Sequence, residues 1–245
     1  DSGEEGLFKP PPSDDSEIEI SISSGSERLQ ALTPFDPWDG NDFEDLPILM
    51  KAKGKCTTDH ISMAGSWLKY RGHLENISGN LYLGEVNSFT GEVGTGLDIT
   101  DNEIRPFPEI AKRYHEAGIE WVAIGDENIG EGSSREHAAM EPRFRGCRVV
   151  IARSFARIHE TNLKKQGILP LTFANPSDYD LIGEKDKISV ISLKDLSANK
   201  PVQVTVTTPE GNVSNIETNH SMSEDQIEWF RAGSALNLIR QKTNG

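Results

Sequence analysis

The sequence contains little cysteine and no long apolar run. Its two cysteines, Cys56 and Cys147, form no CxxC pair and are too few for the disulfide framework of a secreted protein. A reducing compartment is therefore expected. No apolar stretch reaches the roughly 20 residues that span a bilayer, which argues against a membrane partner. We recognise no signal peptide, and because Asp1 stands in place of an initiator Met, we expect the numbering to begin inside a longer chain.

Basic residues are also scarce. The chain has 25 Lys and Arg against 39 Asp and Glu, which gives a formal net charge of −14. This excess of negative charge repels nucleic acid and anionic lipid, and no basic stripe offsets it. A small anionic substrate would have to be held by a few well-placed arginines. The length of 245 residues fits one domain with long embellishments, and the Gly/Pro/Asn/Asp-rich stretches account for much of the low hydrophobic content of 35%.

Hydrophobic periodicity predicts regular elements after an irregular start. Residues 1–16 are acidic and Pro-rich, as in an extended linker, and Ile18, Ile20 and Ile22 alternate as in a strand. The Gly-rich stretch 84–106 predicts a long functional loop. Strands are predicted near residues 48–50, 121–124, 148–151, 168–173, 188–193, 202–206 and 213–217, and helices near 108–118, 155–166 and from 223. Their βαβ-like alternation indicates an α/β fold with a parallel or mixed sheet and covering helices.

The segment 125–137 (GDENIGEGSSREH) follows a predicted strand and precedes a predicted helix. Its glycines would let the backbone approach a ligand, and a helix start would present free N–H groups to an anion. Arg135 could grip a carboxylate through two hydrogen bonds, and Ser133 could act as a base if its alkoxide were stabilised. On residue types alone, a Gly-rich turn with a serine cap is the simpler interpretation.

A second segment, 56–62 (CTTDHIS), places Asp59 next to His60, and Arg71 follows in a Tyr-Arg-Gly-His run. Asp and His could form a proton-handling pair, and Arg71 could be a second carboxylate clamp. A loop with an Asx turn at Asp59 and a surface arginine is the plainer alternative.

Several other polar residues receive structural interpretations. His137 and His159 stand near helix starts without metal-ligand spacing, which favours capping or surface roles. Cys147 is most simply a small buried hydrophobe, and Lys164 with Lys165 is typical of a solvated helix face.

Together these segments resemble the aconitase family. The motifs are KCTTDHIS (55–62), YRGHL (70–74), GDEN (125–128), GSSREH (132–137), SFARIHETN (154–162) and QIEWFRAGSALN (226–237). The resemblance runs from about residue 30 to residue 240. It implies the family's C-terminal swivelling β/β/α-type domain over residues 41–245, preceded by an extended linker over residues 1–40 that lets the domain close over a cleft.

The resemblance also implies roles for particular residues. Ser133 becomes the base that takes the substrate proton as an alkoxide, and Ser134 and Arg135 contact the substrate. Arg71 becomes the second carboxylate clamp. Asp59 and His60 lie in the active-site region, where Asp59 orients and charge-balances its neighbours.

The cofactor and partners are likewise implied by the resemblance. A full-length aconitate hydratase would interconvert citrate and isocitrate through cis-aconitate at a 4Fe–4S cluster. Its ligands are expected in the family's N-terminal domains 1 to 3, with none in this chain, so the isolated chain is predicted to be inactive. The YRGHL pattern resembles the mitochondrial branch, which implies the mitochondrial matrix in a eukaryote or the cytoplasm in a bacterium.

Two alternatives remain at this point. The same domain serves as the free small subunit of an isopropylmalate or homoaconitate isomerase, which the long N-terminal tether and the Arg71 region disfavour. A non-catalytic nucleic-acid-binding module is disfavoured by the net charge of −14 and the missing basic stripe.

Overall fold

The structure is a computed structural model and describes residues 20–244, excluding the side chain of Asn244. Nine strands and seven α-helices are present in these residues. The strands are β1 (Phe43–Lys51), β2 (Thr95–Asp98), β3 (Glu103–Pro106), β4 (Trp121–Gly125), β5 (Cys147–Ala152), β6 (Leu169–Phe173), β7 (Lys187–Ile191), β8 (Val202–Thr207) and β9 (Val213–Asn219). The helices are α1 (Thr58–Ile61), α2 (Leu74–Ile77), α3 (Phe107–Glu116), α4 (His137–Phe144), α5 (Arg157–Lys165), α6 (Glu224–Ala232) and α7 (Ala235–Asn244).

Seven strands form a closed barrel in the order β1-β4-β5-β6-β9-β8-β7. Strands β1, β4, β5 and β6 run parallel, and β6-β9, β9-β8, β8-β7 and β7-β1 are antiparallel pairs. All five residues of β4 are buried, as expected for a parallel strand covered on both faces. Strand β8 instead buries alternate residues, Val202, Val204 and Val206.

Two apolar cores follow from this arrangement. One fills the barrel with side chains such as Ile124, Ile151 and Val204. The other lies between the parallel strands and the helices, where Tyr114 of α3 and Trp121 of β4 are fully buried. Because β4 contributes to both cores, its carboxyl end and the loop that follows it are held from both sides.

The predicted mixed α/β architecture with covering helices is confirmed. All seven barrel strands lie where the apolar runs predict them, and the helix predicted at Ser223 begins with a capping box between Ser223 and Gln226. Closure of the sheet, through β1 and β7, was not predicted. Helix α7 was also not predicted.

Two predictions about irregular segments need correction. The stretch 84–106 is not one long loop, because β2 and β3 pair within it as an antiparallel ribbon. Residues 20–22 form no strand, while Ile18 lies outside the described residues, as does the predicted linker segment 1–16.

The chain before β1 lies along the body of the domain. Gln30 donates its backbone N–H to the carbonyl of Gly72, and Trp38 donates its backbone N–H to the carbonyl of Arg231. The Asn237 amide of α7 donates to the carbonyl of Phe35. The division into a linker over residues 1–40 and a domain over 41–245 stays a prediction.

None of the helices among residues 20–244 has the length and apolar character needed to cross a membrane.

Candidate active site

The Asp59 segment forms a single helical turn, α1, rather than an Asx turn. Thr57 caps it by accepting the backbone N–H of His60, while the His60 ring accepts the backbone N–H of Thr57, which makes a reciprocal capping box. This arrangement fixes the direction in which Asp59 leaves the turn. The Asp59 side chain is 63% exposed.

Backbone hydrogen bonds fasten this turn to the loop between β4 and α4. Gly130 donates its N–H to the carbonyl of Cys56, and Thr58 donates its N–H to the carbonyl of Glu131. Gly130 has a φ of +79°, and a Cβ there would lie 2.1 Å from the ring of His159. Only glycine fits this position, so the sequence GEGSS can pass directly over the capped turn.

Arg135 connects the two segments through its side chain. Its Nη1 lies 2.6 Å from Oδ1 of Asp59 and donates to the carbonyl of Ser62, and its Nη2 lies 3.0 Å from Oγ of Ser133. The hydrogen bond from Arg135 holds the pKa of Asp59 below its usual range. The structure therefore brings Ser133, Arg135 and Asp59 together from two parts of the sequence.

The buried carboxyl group of Glu141 is linked to Arg135 through Ser62. The Ser62 hydroxyl donates to Oε1 of Glu141 at 2.6 Å, and both side chains are buried. Burial raises the pKa of Glu141 well above its usual range, against the lowering effect of the Ser62 hydrogen bond. The sequence offered no signal for this residue, because a glutamate inside a helix is most often exposed.

Glu85 is a second buried carboxyl group that the sequence did not reveal. Its side chain has no exposed area, and its Oε2 lies 3.5 Å from Nδ1 of His60. Burial raises the pKa of Glu85 to about 7. His60 is thus held between the Thr57 cap and a carboxyl group that titrates near neutrality.

Arg71 and Ser134 are placed near this group without side-chain contacts to it. The carbonyl of Arg71 lies 2.8 Å from Nε2 of His137, which brings its backbone to the start of α4. The Arg71 guanidinium is exposed and makes no ion pair with any residue from 20 to 244. Ser134 is also exposed.

The helix predicted after the segment 125–137 is α4, which begins at His137. Its N-cap is Glu136, so neither Ser133 nor Ser134 caps it, and Gly132 at a φ of +114° and the residues after it form an irregular bend instead. The helix N-terminus beside Ser133 is that of α5. Ser133, Ser134 and Arg135 line a cavity of about 260 Å³ together with Arg157 and His159 of this helix.

Two interpretations of polar residues are wrong. His159 is neither capping nor on the surface, since its side chain is buried under Gly130 and burial lowers its pKa to about 4. Lys164 is not solvated, because its ammonium is buried against Ser221 and Glu160. The apolar surroundings of Cys147 agree with its assignment as a buried hydrophobe.

The cysteines of this chain do not fit an iron–sulfur cluster. Cys56 and Cys147 are both fully buried free thiols, and burial raises the pKa of each. Within residues 20–244, no three His, Cys, Asp or Glu side chains converge as metal ligands. A cluster needs deprotonated thiolates from more cysteines than this chain contains.

Comparison with known proteins identifies the family of this chain. Residues 46–176 match the family model described as the aconitase C-terminal domain. The chain is 55% identical over 240 residues to a mitochondrial aconitate hydratase from Gracilaria gracilis and 53% identical over 240 residues to one from Saccharomyces cerevisiae. Each alignment covers 98% of this chain and 31% of the relative, so the chain spans about a third of the length of these relatives.

The fold also resembles a solved structure. A 3-isopropylmalate dehydratase from Methanocaldococcus jannaschii superimposes with a TM-score of 0.53 at 18% identity, and the match covers 83% of this chain and 96% of that one. At this identity the likeness shows the shared fold alone. The family match and the identity to the longer relatives are more specific, and the chain belongs to the aconitase C-terminal domain family.

Proposed function

We propose that this chain is the C-terminal part of an aconitate hydratase and that it supplies the base and two carboxylate-binding arginines for isomerising citrate and isocitrate through cis-aconitate. The identity to aconitate hydratases over nearly the whole chain supports the assignment. The observation that carries the chemistry is the position of the Arg135 guanidinium between Ser133 and Asp59.

Ser133 is the proposed base. A serine hydroxyl abstracts a carbon-bound proton only as an alkoxide, so its pKa must fall far below that of a free alcohol. The Arg135 N–H donated to Oγ of Ser133 stabilises that negative charge. In the proposed step, the C–H bond next to a carboxylate breaks and its proton moves to the alkoxide Oγ of Ser133. The electron pair left on carbon forms the C=C bond of cis-aconitate as the C–O bond to the hydroxyl on the neighbouring carbon breaks and that hydroxyl leaves.

Arg71, Ser134 and Arg135 are the proposed substrate contacts. The Arg71 guanidinium is exposed, has no ion-pair partner among residues 20–244 and is available for a carboxylate, and the Ser134 hydroxyl can donate a hydrogen bond. Arg135 is partly occupied by Asp59, whose largely exposed carboxylate balances the positive charge before substrate binds. Asp59 and His60 therefore act as support, with Asp59 orienting Arg135 and His60 fixing the turn that carries Asp59.

The remaining components belong to the full-length protein. The family implies a 4Fe–4S cluster, and because the thiols of this chain do not fit it, we assign its ligands to the N-terminal domains 1 to 3. Those domains are the proposed protein partner. The names of the relatives support a mitochondrial location, which would be the matrix in a eukaryotic source.

The test is Ser133→Ala in the full-length protein. Removing a group that acts in the transition state should lower kcat by at least about a hundredfold while the affinity for citrate changes little. Ser214→Ala removes another exposed hydroxyl, on β9, and serves as the control, which should keep wild-type turnover. Wild-type kcat with a raised KM in Ser133→Ala would assign Ser133 to binding instead of proton transfer.

A further inference from the structure

A larger cavity than the one beside Ser133 lies between the chain before β1 and the helices of the domain. Its volume is about 650 Å³, which is within the range of sites that bind small molecules. Segment 30–36 forms part of its lining, and most of the rest comes from α3, α4, α7 and the loops next to them. No residue with a role in the proposed function lines this cavity.

Arg143 of α4 contributes a buried guanidinium to the lining. The residue is 6% exposed, and its guanidinium lies 5.0 Å from the ring centroid of Phe35, which also lines the cavity. Its Nε donates to the carbonyl of Gln166, and its Nη2 donates to the carbonyl of Asp36. Its Nη1 has no acceptor among residues 20–244 but is not sealed from solvent, so a ligand can reach it.

The charge of Arg143 has no counter-ion. Among residues 20–244, no carboxylate forms an ion pair with it. Buried arginines are usually matched with an acid, because a buried charge without a partner is costly. Burial lowers the pKa of Arg143 to about 10, so the guanidinium remains charged near neutral pH. An anion in the cavity would supply the missing partner.

The other charged side chains of the lining also favour an anion. Glu120 is neutralised by its ion pair with Arg148. Arg240 of α7 is exposed and has no ion pair in the described part of the chain. The guanidinium groups of Arg143 and Arg240 therefore outnumber the one remaining carboxylate of the lining, that of Asp36. This local excess of positive charge contrasts with the net charge of −14.

Much of the lining is apolar. Leu32 before β1 and Leu236 of α7 are 51% and 74% exposed, and buried or half-buried apolar side chains lie beside them. Covering such surface with an apolar ligand is favourable by about 25 cal/mol for each Å² removed from water. A molecule that matches this cavity therefore combines a negative group with an apolar body.

We propose that the cavity binds a small amphipathic anion, namely a carboxylate carried on an aliphatic chain. The carboxylate contacts Nη1 of Arg143, and the aliphatic chain contacts Leu32 and Leu236. Because segment 30–36 and α7 both line the cavity, the bound molecule holds the chain before β1 to the body of the domain. This proposal does not depend on the function proposed above.

Calorimetric titration of the full-length protein with octanoate tests the proposal. Octanoate should bind, and 1-octanol, which has the same chain without the charge, should bind at least about tenfold more weakly because it lacks one charge-assisted contact. Equal affinities for the two probes, or no binding of octanoate, would overturn the proposal. Binding to the 245-residue chain but not to the full-length protein would also overturn it, and would assign the cavity to a contact with the rest of the protein.

Two matched variants of α7 locate the binding site. Leu236→Glu places a negative charge in the lining and removes apolar surface, so the affinity for octanoate should fall at least about tenfold. Ile239→Glu makes the same change on the same helix, at a residue that is 60% exposed and does not line the cavity, and should keep wild-type affinity. Equal affinities in the two variants would show that octanoate binds elsewhere.

Arg143→Met tests the charge itself. Methionine keeps an apolar contact with Phe35 but cannot bind a carboxylate, so the variant should lose its preference for octanoate over 1-octanol. Thermal unfolding shows whether the variant is folded, and a folded variant with wild-type affinity for octanoate would overturn the proposal. Should Arg143→Met not fold, Arg240→Gln replaces it, because Arg240 is exposed. Its affinity should fall about twofold to fivefold for octanoate and not at all for 1-octanol, and equal changes for both probes would contradict the proposal.

Discussion

The hydroxyl of Ser62 donates to the carboxyl group of Glu141 at 2.6 Å, and both side chains are buried directly behind Arg135. The carbonyl of Ser62 accepts from Nη1 of the same Arg135. One residue thus connects a buried acid to the guanidinium that contacts Ser133. The position of Arg135 is therefore set by the core of the domain as well as by the exposed Asp59.

This relationship predicts that Ser62→Ala destabilises the domain although it removes only one oxygen. Glu141 would be left buried without its hydroxyl partner, and such a loss costs about 1–3 kcal/mol. Denaturant unfolding of the 245-residue chain measures the change, with Ser214→Ala expected to stay within about 0.5 kcal/mol of wild type. Equal stability of the two variants would show that the Ser62–Glu141 hydrogen bond contributes nothing.

The buried carboxyl group of Glu85 predicts a pH dependence of stability. Its pKa is about 7 in the folded chain, above the 4.5 of a free glutamate, so the folded state binds this proton more tightly than the unfolded state. The protonated Glu85 carboxyl group therefore makes its full contribution to the stability of the folded state below pH 4.5. This contribution is lost as the pH rises through 7. Glu85→Gln stays neutral, and should therefore exceed wild type in unfolding free energy by roughly 3 kcal/mol at pH 8.

Toward pH 5 this advantage should shrink, because the wild-type carboxyl group is then protonated as well. Unfolding of both proteins at pH 5, 6, 7 and 8 measures the trend. Glu92→Gln, at an exposed position, is the control and should follow wild type throughout. A difference between Glu85→Gln and wild type that does not vary with pH would mean that Glu85 does not titrate in this range.

Arg71→Lys in the full-length protein tests the second carboxylate clamp. Lysine keeps the charge but loses the planar fork that pairs with both oxygens of a carboxylate. The expected loss is about 2–3 kcal/mol, which is roughly thirty- to a hundredfold in affinity for citrate and isocitrate. Calorimetric titration measures it. Wild-type affinity in this variant would remove Arg71 from the site and leave it as the surface arginine that residue types alone suggest.

The fold was largely predictable because its strands are locally encoded. Strand β4 is a continuous apolar run, and β8 alternates strictly, so each pattern matches the burial that the structure shows. Barrel closure depends on pairing β1 with β7 across most of the chain, and nothing in either strand specifies that partner. Helix α7 was missed because Leu236 and Ile239 are exposed, so its apolar positions do not form a buried stripe.

The site was predictable as two motifs but not as one arrangement. The glycines around Ser133 indicate close backbone approach, yet no local pattern shows that Arg135 pairs with Asp59. Glu85 and Glu141 were missed for a related reason. Burial of a carboxyl group depends on how distant segments pack, and a glutamate in the sequence gives no sign of it.

The central claim is that Arg135 stabilises Ser133 as a base, and a double-mutant cycle on kcat in the full-length protein tests it most directly. If Arg135 acts on turnover through Ser133, then Arg135→Lys should slow the wild-type enzyme strongly and slow Ser133→Ala hardly at all. The cycle should therefore be far from additive. Losses in kcat that simply add, with Arg135→Lys costing as much in Ser133→Ala as in wild type, would contradict the account.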